Sequence, residues 1–345
     1  MIPIIADKNF IRLGFLDDFV SFIWTTRYYQ CGDFELVLNM SAKALDIVKI
    51  GYYVIRDDDE NTGIIEKITV DVDADGDERL IASGRFLSSV LARRIIAEQT
   101  EFRNQKLSDI INYLINEAVI SPDVAARAIP NFTLGSYDIA DKLTCQFTGK
   151  NLLDVISTLC EEYHVGFKTL RVGAGFQFSL YKGVDRTYNQ STLPYAVFSD
   201  TYDNLLSAEY IDSREDFVTD VLVAGEGEGI DRKTAWASKT TNTGLDRYEL
   251  YKDARNMSSD EGYIPEVEYI ASLRQEGMES ITEITQAFSG KIDFGNVKYK
   301  TDINIGDLCV IEYAKWGLHI DTRLIEVIES VNEQGVYSIT PTFGI

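Results

Sequence analysis

The chain carries an internal echo. Gly51-Tyr-Tyr-Val-Ile55, then Ile65-Glu-Lys-Ile68, a turn at Gly76 and Leu80-Ile81 are answered near the C-terminus by Gly306-Asp-Leu-Cys-Val-Ile311, Ile325-Glu-Val-Ile328, a turn at Gly335 and Ile339. Each stretch reads as three successive strands separated by turn residues. Two readings stay open: any two antiparallel meanders share this much pattern, or the chain holds two similar β-barrels. At 345 residues it is too long for one ordinary core and is expected to divide into two to four domains.

Between the two β regions the period changes. From Gln105 to Ile120, Leu107, Ile110, Ile111, Leu114, Ile115, Ala118 and Val119 fall on one helical face, which must be buried on something else. A second helix is predicted from about Asn151 to Tyr163, followed by a hairpin over Val165 to Leu180 that turns at Gly173-Ala174-Gly175. Asp220 to Ala224 reads as a strand, Gly225 through Gly244 as an exposed loop, and Pro265 to about Phe288 as a helix weakened by Gly277 and β-branched residues. The expected fold class is α+β, predominantly antiparallel β. Residues 1–98 form a first barrel completed by about 200–225, residues 99–199 an inserted α+β domain, and residues 226–345 a second barrel with a helical insertion around 265–288.

Asp and Glu number 55 against 33 Lys and Arg, a formal charge of -22, so free nucleic acid is disfavoured as a tight partner: phosphate binding needs a basic face. Cys31, Cys145, Cys160 and Cys309 lack paired spacing and read as buried small hydrophobes of a reducing compartment. No apolar run approaches the ~20 residues that span a bilayer, and the N-terminus lacks a charged leader, so a soluble protein made in a cytoplasm, without membrane insertion, is expected.

The motifs that would carry chemistry fail on inspection. Asp71-Val-Asp73-Ala-Asp75-Gly76-Asp77 matches the opening of a calcium loop, but Ala82 stands where a bidentate glutamate is needed and the flanks read as strands, so an acidic hairpin turn is expected. His164 and His319 have no recognisable nucleophile or metal partner motif. Gly149-Lys150 ends like a phosphate loop, yet Asn151 replaces the magnesium-binding hydroxyl. The acidic run Asp57-Asp58-Asp59-Glu60 reads as a solvated turn in preference to a catalytic pair. No cofactor, no metal and no enzymatic activity are expected.

Trp24-Thr-Thr-Arg27-Tyr-Tyr-Gln-Cys-Gly32-Asp-Phe34-Glu-Leu36 resembles the opening signature of a siphophage tail-tip protein family from Gram-positive hosts. The downstream elements follow in order: Gly51 with Val54 and Ile55, Ile65-Glu66, Gly84-Arg85 with Leu87, Leu91-Ala-Arg93-Arg94-Ile95, and final strands through Thr340 and Gly344. Proteins of this family resemble the baseplate hubs of phage tails and tail-like injection systems. The resemblance implies a homotrimer in which each chain contributes two barrels, so that six barrels meet the sixfold tail tube while the tip stays threefold. It further implies a virion location at the distal end of the tail, assembled in the host bacterial cytoplasm. The partners would be the tail tube or distal tail protein and the tip, spike or receptor-binding proteins, with DNA passing through unbound. Many relatives continue into a receptor-binding or wall-degrading region; this chain stops at Ile345, which implies a minimal hub.

Under that reading the acidic excess repels outgoing DNA. The candidate channel-lining residues are Asp57, Asp58, Asp59 and Glu60, together with Asp71, Asp73, Asp75, Asp77 and Glu78. The alternatives are a tail-associated cell-wall hydrolase and a receptor- or carbohydrate-binding module, the latter drawing on 19 Tyr and 3 Trp.

Overall fold

The computed structural model describes residues 1–72, 76–259, 263–282, 285–289, 292 and 297–344. The chain opens with β1 (Ile4–Ala6), β2 (Arg12–Phe15), β3 (Phe19–Arg27) and β4 (Asp33–Asn39). A short helix α1 (Ala42–Ile47) leads to β5 (Tyr53–Ile55), β6 (Thr62–Val72) and β7 (Glu78–Phe86). Alternation dictates the faces: Phe34, Leu36 and Leu38 of β4 point inward and Glu35 outward. Phe22, Trp24, Leu80 and Ala82 complete the core of this first unit.

Residues 87–181 build a separate body, beginning with a 3-10 segment (Leu87–Arg93). It contains β8 (Thr100–Lys106), α2 (Leu107–Ile115) running into a π-helical turn to Ile120, and β9 (Phe132–Leu134). β10 (Lys142–Phe147), α3 (Leu152–Glu162), β11 (Gly166–Val172) and β12 (Gly175–Tyr181) follow. The apolar stripe of α2 and the inward face of α3 are buried in one core with Phe147, Phe167 and Phe178. Asn151 is where it is because it caps α3, accepting from the Leu153 amide at 3.0 Å.

The strands β13 (Val197–Ser199) and β14 (Glu209–Ser213) come next. A small third body holds β15 (Asp220–Ala224), β16 (Thr234–Ser238), β17 (Glu249–Asp253) and helix α4 (Glu266–Met278), with Val221, Val223, Ala235, Ala237 and Leu273 as its core. The last strands are β18 (Thr285–Ser289), β19 (Leu308–Tyr313), β20 (Leu318–Val331) and β21 (Tyr337–Gly344). Their core gathers Phe198, Phe288, Ile311, Leu324 and Phe343. The architecture is α+β and mostly antiparallel β.

Three sequence expectations are corrected. The helix at 265–288 ends at Met278, and Phe288 lies in a strand, since Ile281, Thr282 and Thr285 are β-branched and disfavour helix. The loop from Gly225 to Gly244 contains β16, whose inward residues are the small Ala235 and Ala237 and so give little alternation signal. Residues 197–213, which fall in or beside the segment assigned to completing the first barrel, pair with β19 and β18 of the last unit.

The echo has a structural counterpart. One large sheet runs β14-β18-β21-β20-β3-β4-β7-β6-β5-β1-β2, with β19 paired to β20 and β13 to β19. Two copies of one strand order are contained in it: β3-β4-β7-β6-β5-β1 and β14-β18-β21-β20-β19-β13. The copies differ in that β1 is antiparallel to β5 whereas β13 is parallel to β19. The correspondence reaches single hydrogen bonds. Gly51, at φ +79°, donates to Ile65 O at 2.8 Å, and Gly306, at φ +93°, donates to Leu324 O at 2.7 Å. A bulge interrupts β6 between Ile65 and Lys67, and another interrupts β20 between Leu324 and Glu326. Ile65 therefore corresponds to Leu324, one residue away from the match read off the sequence.

Candidate functional site

The two units meet edge to edge, and one of the two acidic groups singled out from the sequence, Asp57 to Glu60, lies beside that joint. The N-terminal half of β20 pairs with β19; its C-terminal half pairs with β3, in a register running from Glu326↔Arg27 to Val331↔Phe22. On the polar face, Arg27 donates to Glu326 across the joint at 2.7 Å and also to Asp33 and the Cys31 carbonyl. On the core side, Glu329 stands opposite Trp24 and is only 3% exposed.

A buried carboxylate needs partners. The Arg56 guanidinium donates to both Glu329 oxygens at 3.0 and 3.1 Å, Lys300 reaches Oε2 at 2.9 Å, and the Tyr337 hydroxyl donates to Oε1 at 2.8 Å. Burial alone would raise the Glu329 pKa, but Arg56 and Lys300 outweigh it and hold the carboxyl below its usual range. Arg56 comes from the first unit and Glu329, Lys300 and Tyr337 lie in the second, so the cluster is an electrostatic bolt between them.

The acidic run belongs to this bolt and its surroundings. Asp58 accepts two hydrogen bonds from Arg56 and its pKa is held down to about 2 by them. Asp59 is buried against Lys300 at 2.6 Å; Asp57 pairs with Arg12 at 2.6 Å, and Glu60 with Lys168 at 2.7 Å. Each carboxylate of Asp57 to Glu60 thus has a cation: Asp58 the neighbouring Arg56, and the other three cations that are distant in sequence. A polar cleft of about 520 Å³ lies beside them, lined by Lys168, Arg186 and Asp307 among others. Its ions are committed as well, with Arg186 donating to Asp307 at 3.0 Å.

The second acidic group lies on the β6–β7 hairpin. Asp71 and Glu78 are exposed and near its tip, Gly76 takes φ +88°, and both flanks are strands as expected. Asp77 is exposed there too, while Asp73 and Asp75 lie outside the described residues. The sequence reading did not foresee Tyr28. It is wholly buried where β3, the β11–β12 hairpin and the segment before β19 meet, and accepts from the Gly183 amide at 3.1 Å.

The 87–181 body and the α4 body share a second ionic contact. Lys150 bridges Glu276 at 2.8 Å and Glu279 at 3.4 Å, and Lys252 takes the other Glu276 oxygen at 2.8 Å. Glu276 is thereby satisfied, and burial pushes Glu279 up to about 7, with Lys150 opposing and Glu276 reinforcing the shift. A carboxyl raised in the folded state from 4.5 contributes stability below that value, which is lost as pH rises through about 7. Glu279→Gln is expected to flatten this dependence, by up to about 3 kcal/mol at 1.36 kcal/mol per unit. Thermal melts at pH 5 and pH 8 check it: equal pH slopes for the two proteins would remove Glu279 as the cause.

Neither histidine is arranged as a base beside a nucleophile in the contacts observed. His164, at φ +52° after α3, shares Nδ1 with the Tyr29 hydroxyl at 3.2 Å, and His319 lies 3.2 Å from Glu312 and stacks on Tyr188. Among the described residues no cluster of three or more His, Cys, Asp or Glu could hold a metal ion. Cys145, Cys160 and Cys309 are buried and Cys31 is partly so; burial pushes their thiols up. Among the described residues no helix is long and apolar enough to cross a membrane.

The model of the Siphovirus ReqiPepy6 Gp37-like protein family matches residues 2–345. No curated protein matches the chain. Among solved structures, the tail protein from Neisseria meningitidis MC58 superposes with a TM-score of 0.56 at 13% identity, over 99% of this chain and 96% of that one. The 43 kDa tail protein of prophage MuSo2 from Shewanella oneidensis also gives 0.56, at 15% identity over 99% and 98%. The prophage tail protein gp18 from Listeria monocytogenes EGD-e gives 0.53 at 12% identity over 100% and 94%. At these identities the likeness is one of fold.

Proposed function

Since this chain belongs to the Siphovirus ReqiPepy6 Gp37-like family of siphovirus tail proteins, we propose that it is the hub at the distal end of a phage or prophage tail. In this reading it is a non-enzymatic homotrimer, assembled in the host cytoplasm, that adapts the sixfold tube to a threefold tip. Its partners are the tail tube or distal tail protein on one side and tip, spike or receptor-binding proteins on the other.

One observation carries the proposal: a single chain holds two copies of the same strand order, joined edge to edge. Three such chains supply six quasi-equivalent units, the number a sixfold tube needs, while the two inserted bodies remain threefold. DNA then passes along the polar side of the sheet. There the joint presents Arg27 between Asp33 and Glu326, which together leave one net negative charge, so the wall is wet and weakly acidic. Of the candidate lining residues, Asp71, Asp77 and Glu78 keep exposed positions for this role; Asp57 to Glu60 are engaged by cations.

Light scattering over a concentration series, with negative-stain images, tests the reading. A threefold mass and a ring with an open centre are expected. A chain that stays monomeric at every concentration and yields no ring would overturn it.

A further inference from the structure

The joint inside the chain uses only one of two equivalent pairs of edges. In it, β20 offers the edge opposite β21 and β3 the edge opposite β4. The matching strands in the other copies are β6, whose edge opposite β7 is unpaired by any strand beyond Ile65 among the described residues, and β14, which ends the sheet opposite β18.

The side chains at the first of these edges are those of a strand awaiting a neighbour. Ile68 pairs with Ala82 and Val70 with Leu80, and both partners are buried, so these residues lie on the core side of β6. Yet Val70 is 49% exposed and Val72, further along the same side, 57%. In the second unit the counterpart of Val70 is Glu329, only 3% exposed, and that of the half-buried Ile68 is Val327, at 0%; both lie in the stretch of β20 that β3 covers, as does Val331, the half-buried counterpart of Val72. The same side of the same strand is therefore buried where an edge strand has been added and open where it has not. Burying two valines and closing a backbone ladder favour addition of a strand.

Resting on the trimeric hub reading, we infer that β6 of one chain pairs antiparallel with β14 of a second copy, in the register of the β20–β3 joint. The bulges align Val70 with Glu329, and the pairing of Tyr210 with Phe288 aligns Tyr210 with Trp24, which pairs with Phe34. Glu329 pairs with Trp24, so Val70 faces the second copy's Tyr210 and Val72 its Ala208. One unfavourable pair results, Asp71 opposite Glu209, which makes assembly stronger as salt is raised.

Cysteines placed on this register test it in the full chain. Residues directly opposite in an antiparallel pair lie about 4.5–5.5 Å apart at Cα, within disulfide reach. Val70→Cys with Tyr210→Cys is expected, under mild oxidation, to run as a covalent trimer on a non-reducing gel. A one-to-one mixture of the two single variants should stop at the covalent dimer. Val72→Cys with Ala208→Cys gives an independent pair that leaves the Tyr210 ring in place, and Val70→Cys with Asp212→Cys is the off-register control. A threefold mass in which neither on-register pair crosslinks overturns the joint and leaves the hub reading standing. A monomeric mass without crosslinks overturns both, and an open ladder beyond three chains supports the edge pairing while overturning threefold closure.

Discussion

Arg56→Ala is expected to lower the unfolding free energy by about 3 kcal/mol, the lower end of the range for leaving a buried charge without its partner. Glu329 keeps Lys300 and Tyr337 after the substitution, which is why the upper end is not reached. The effect carries a pH signature. Asp58, lowered from 3.8 to about 2, and Glu329, also lowered, contribute stability that is full above the ordinary carboxylate range and is lost as pH falls through their folded values. The gap between wild type and variant should therefore narrow from pH 6 toward pH 3. Replacing the pair together, Arg56→Met with Glu329→Leu, removes both desolvation costs and is expected to be close to neutral apart from the loss to Lys300. A single-variant loss below about 1 kcal/mol, or a gap that is the same at both pH values, would mean that the bolt does not hold the units together.

What the sequence could reveal follows the range over which each interaction acts. The echo was visible because strands and turns are local, and Gly51 and Gly306 are matched by their positive φ and by the same hydrogen bond. The match slipped by one residue because Ile65-Glu-Lys-Ile68 and Ile325-Glu-Val-Ile328 look alike locally, whereas the equivalent bulges at Glu66 and Ile325, which fix the true correspondence, leave no local mark. The assignment of 197–213 was not legible because β14 finds β18 only after the whole α4 body has been traversed. The acidic run shows the same limit in its chemistry. Sequence displays Asp57 to Glu60 as a block of negative charge beside one cation, Arg56, whereas Arg12, Lys168 and Lys300, which pair with the other three carboxylates, come from three other segments. The signature from Trp24 to Leu36 acquires physical meaning from the fold: Trp24, Phe34 and Leu36 are core, and Arg27 crosses the joint. Gly32 sits where a Cβ would lie 2.3 Å from the Thr25 carbonyl oxygen.

Tyr28, another member of that signature, is where the largest loss from one side chain is expected. Its ring is fully buried and fills a slot whose walls are glycines: a Cβ on Gly166 would come within 2.3 Å of the ring and one on Gly306 within 2.2 Å. Tyr181 meets the ring edge-on at 5.4 Å, and the Arg323 guanidinium lies 5.6 Å from its centre. The hydroxyl accepts from Gly183 and is placed to donate to the His164 carbonyl at 3.2 Å. One side chain thus ties β3 of the first unit to the 87–181 body and to the strand entry at Gly306 in the second. Tyr28→Ala should cost about 3–5 kcal/mol, as removal of a large buried aromatic does. Tyr28→Phe should cost about 1–3 kcal/mol, because the Gly183 amide and the His164 carbonyl lose their partner while packing is kept. Gly306→Ala should be comparably damaging, from the clash with the ring and from φ +93°. The clash vanishes when the ring is gone, so the two alanine substitutions should be less than additive by about 1 kcal/mol or more in a double-mutant cycle. Losses that add within about 0.5 kcal/mol would show that the glycine is needed for its backbone angle alone and that the slot does not grip the tyrosine.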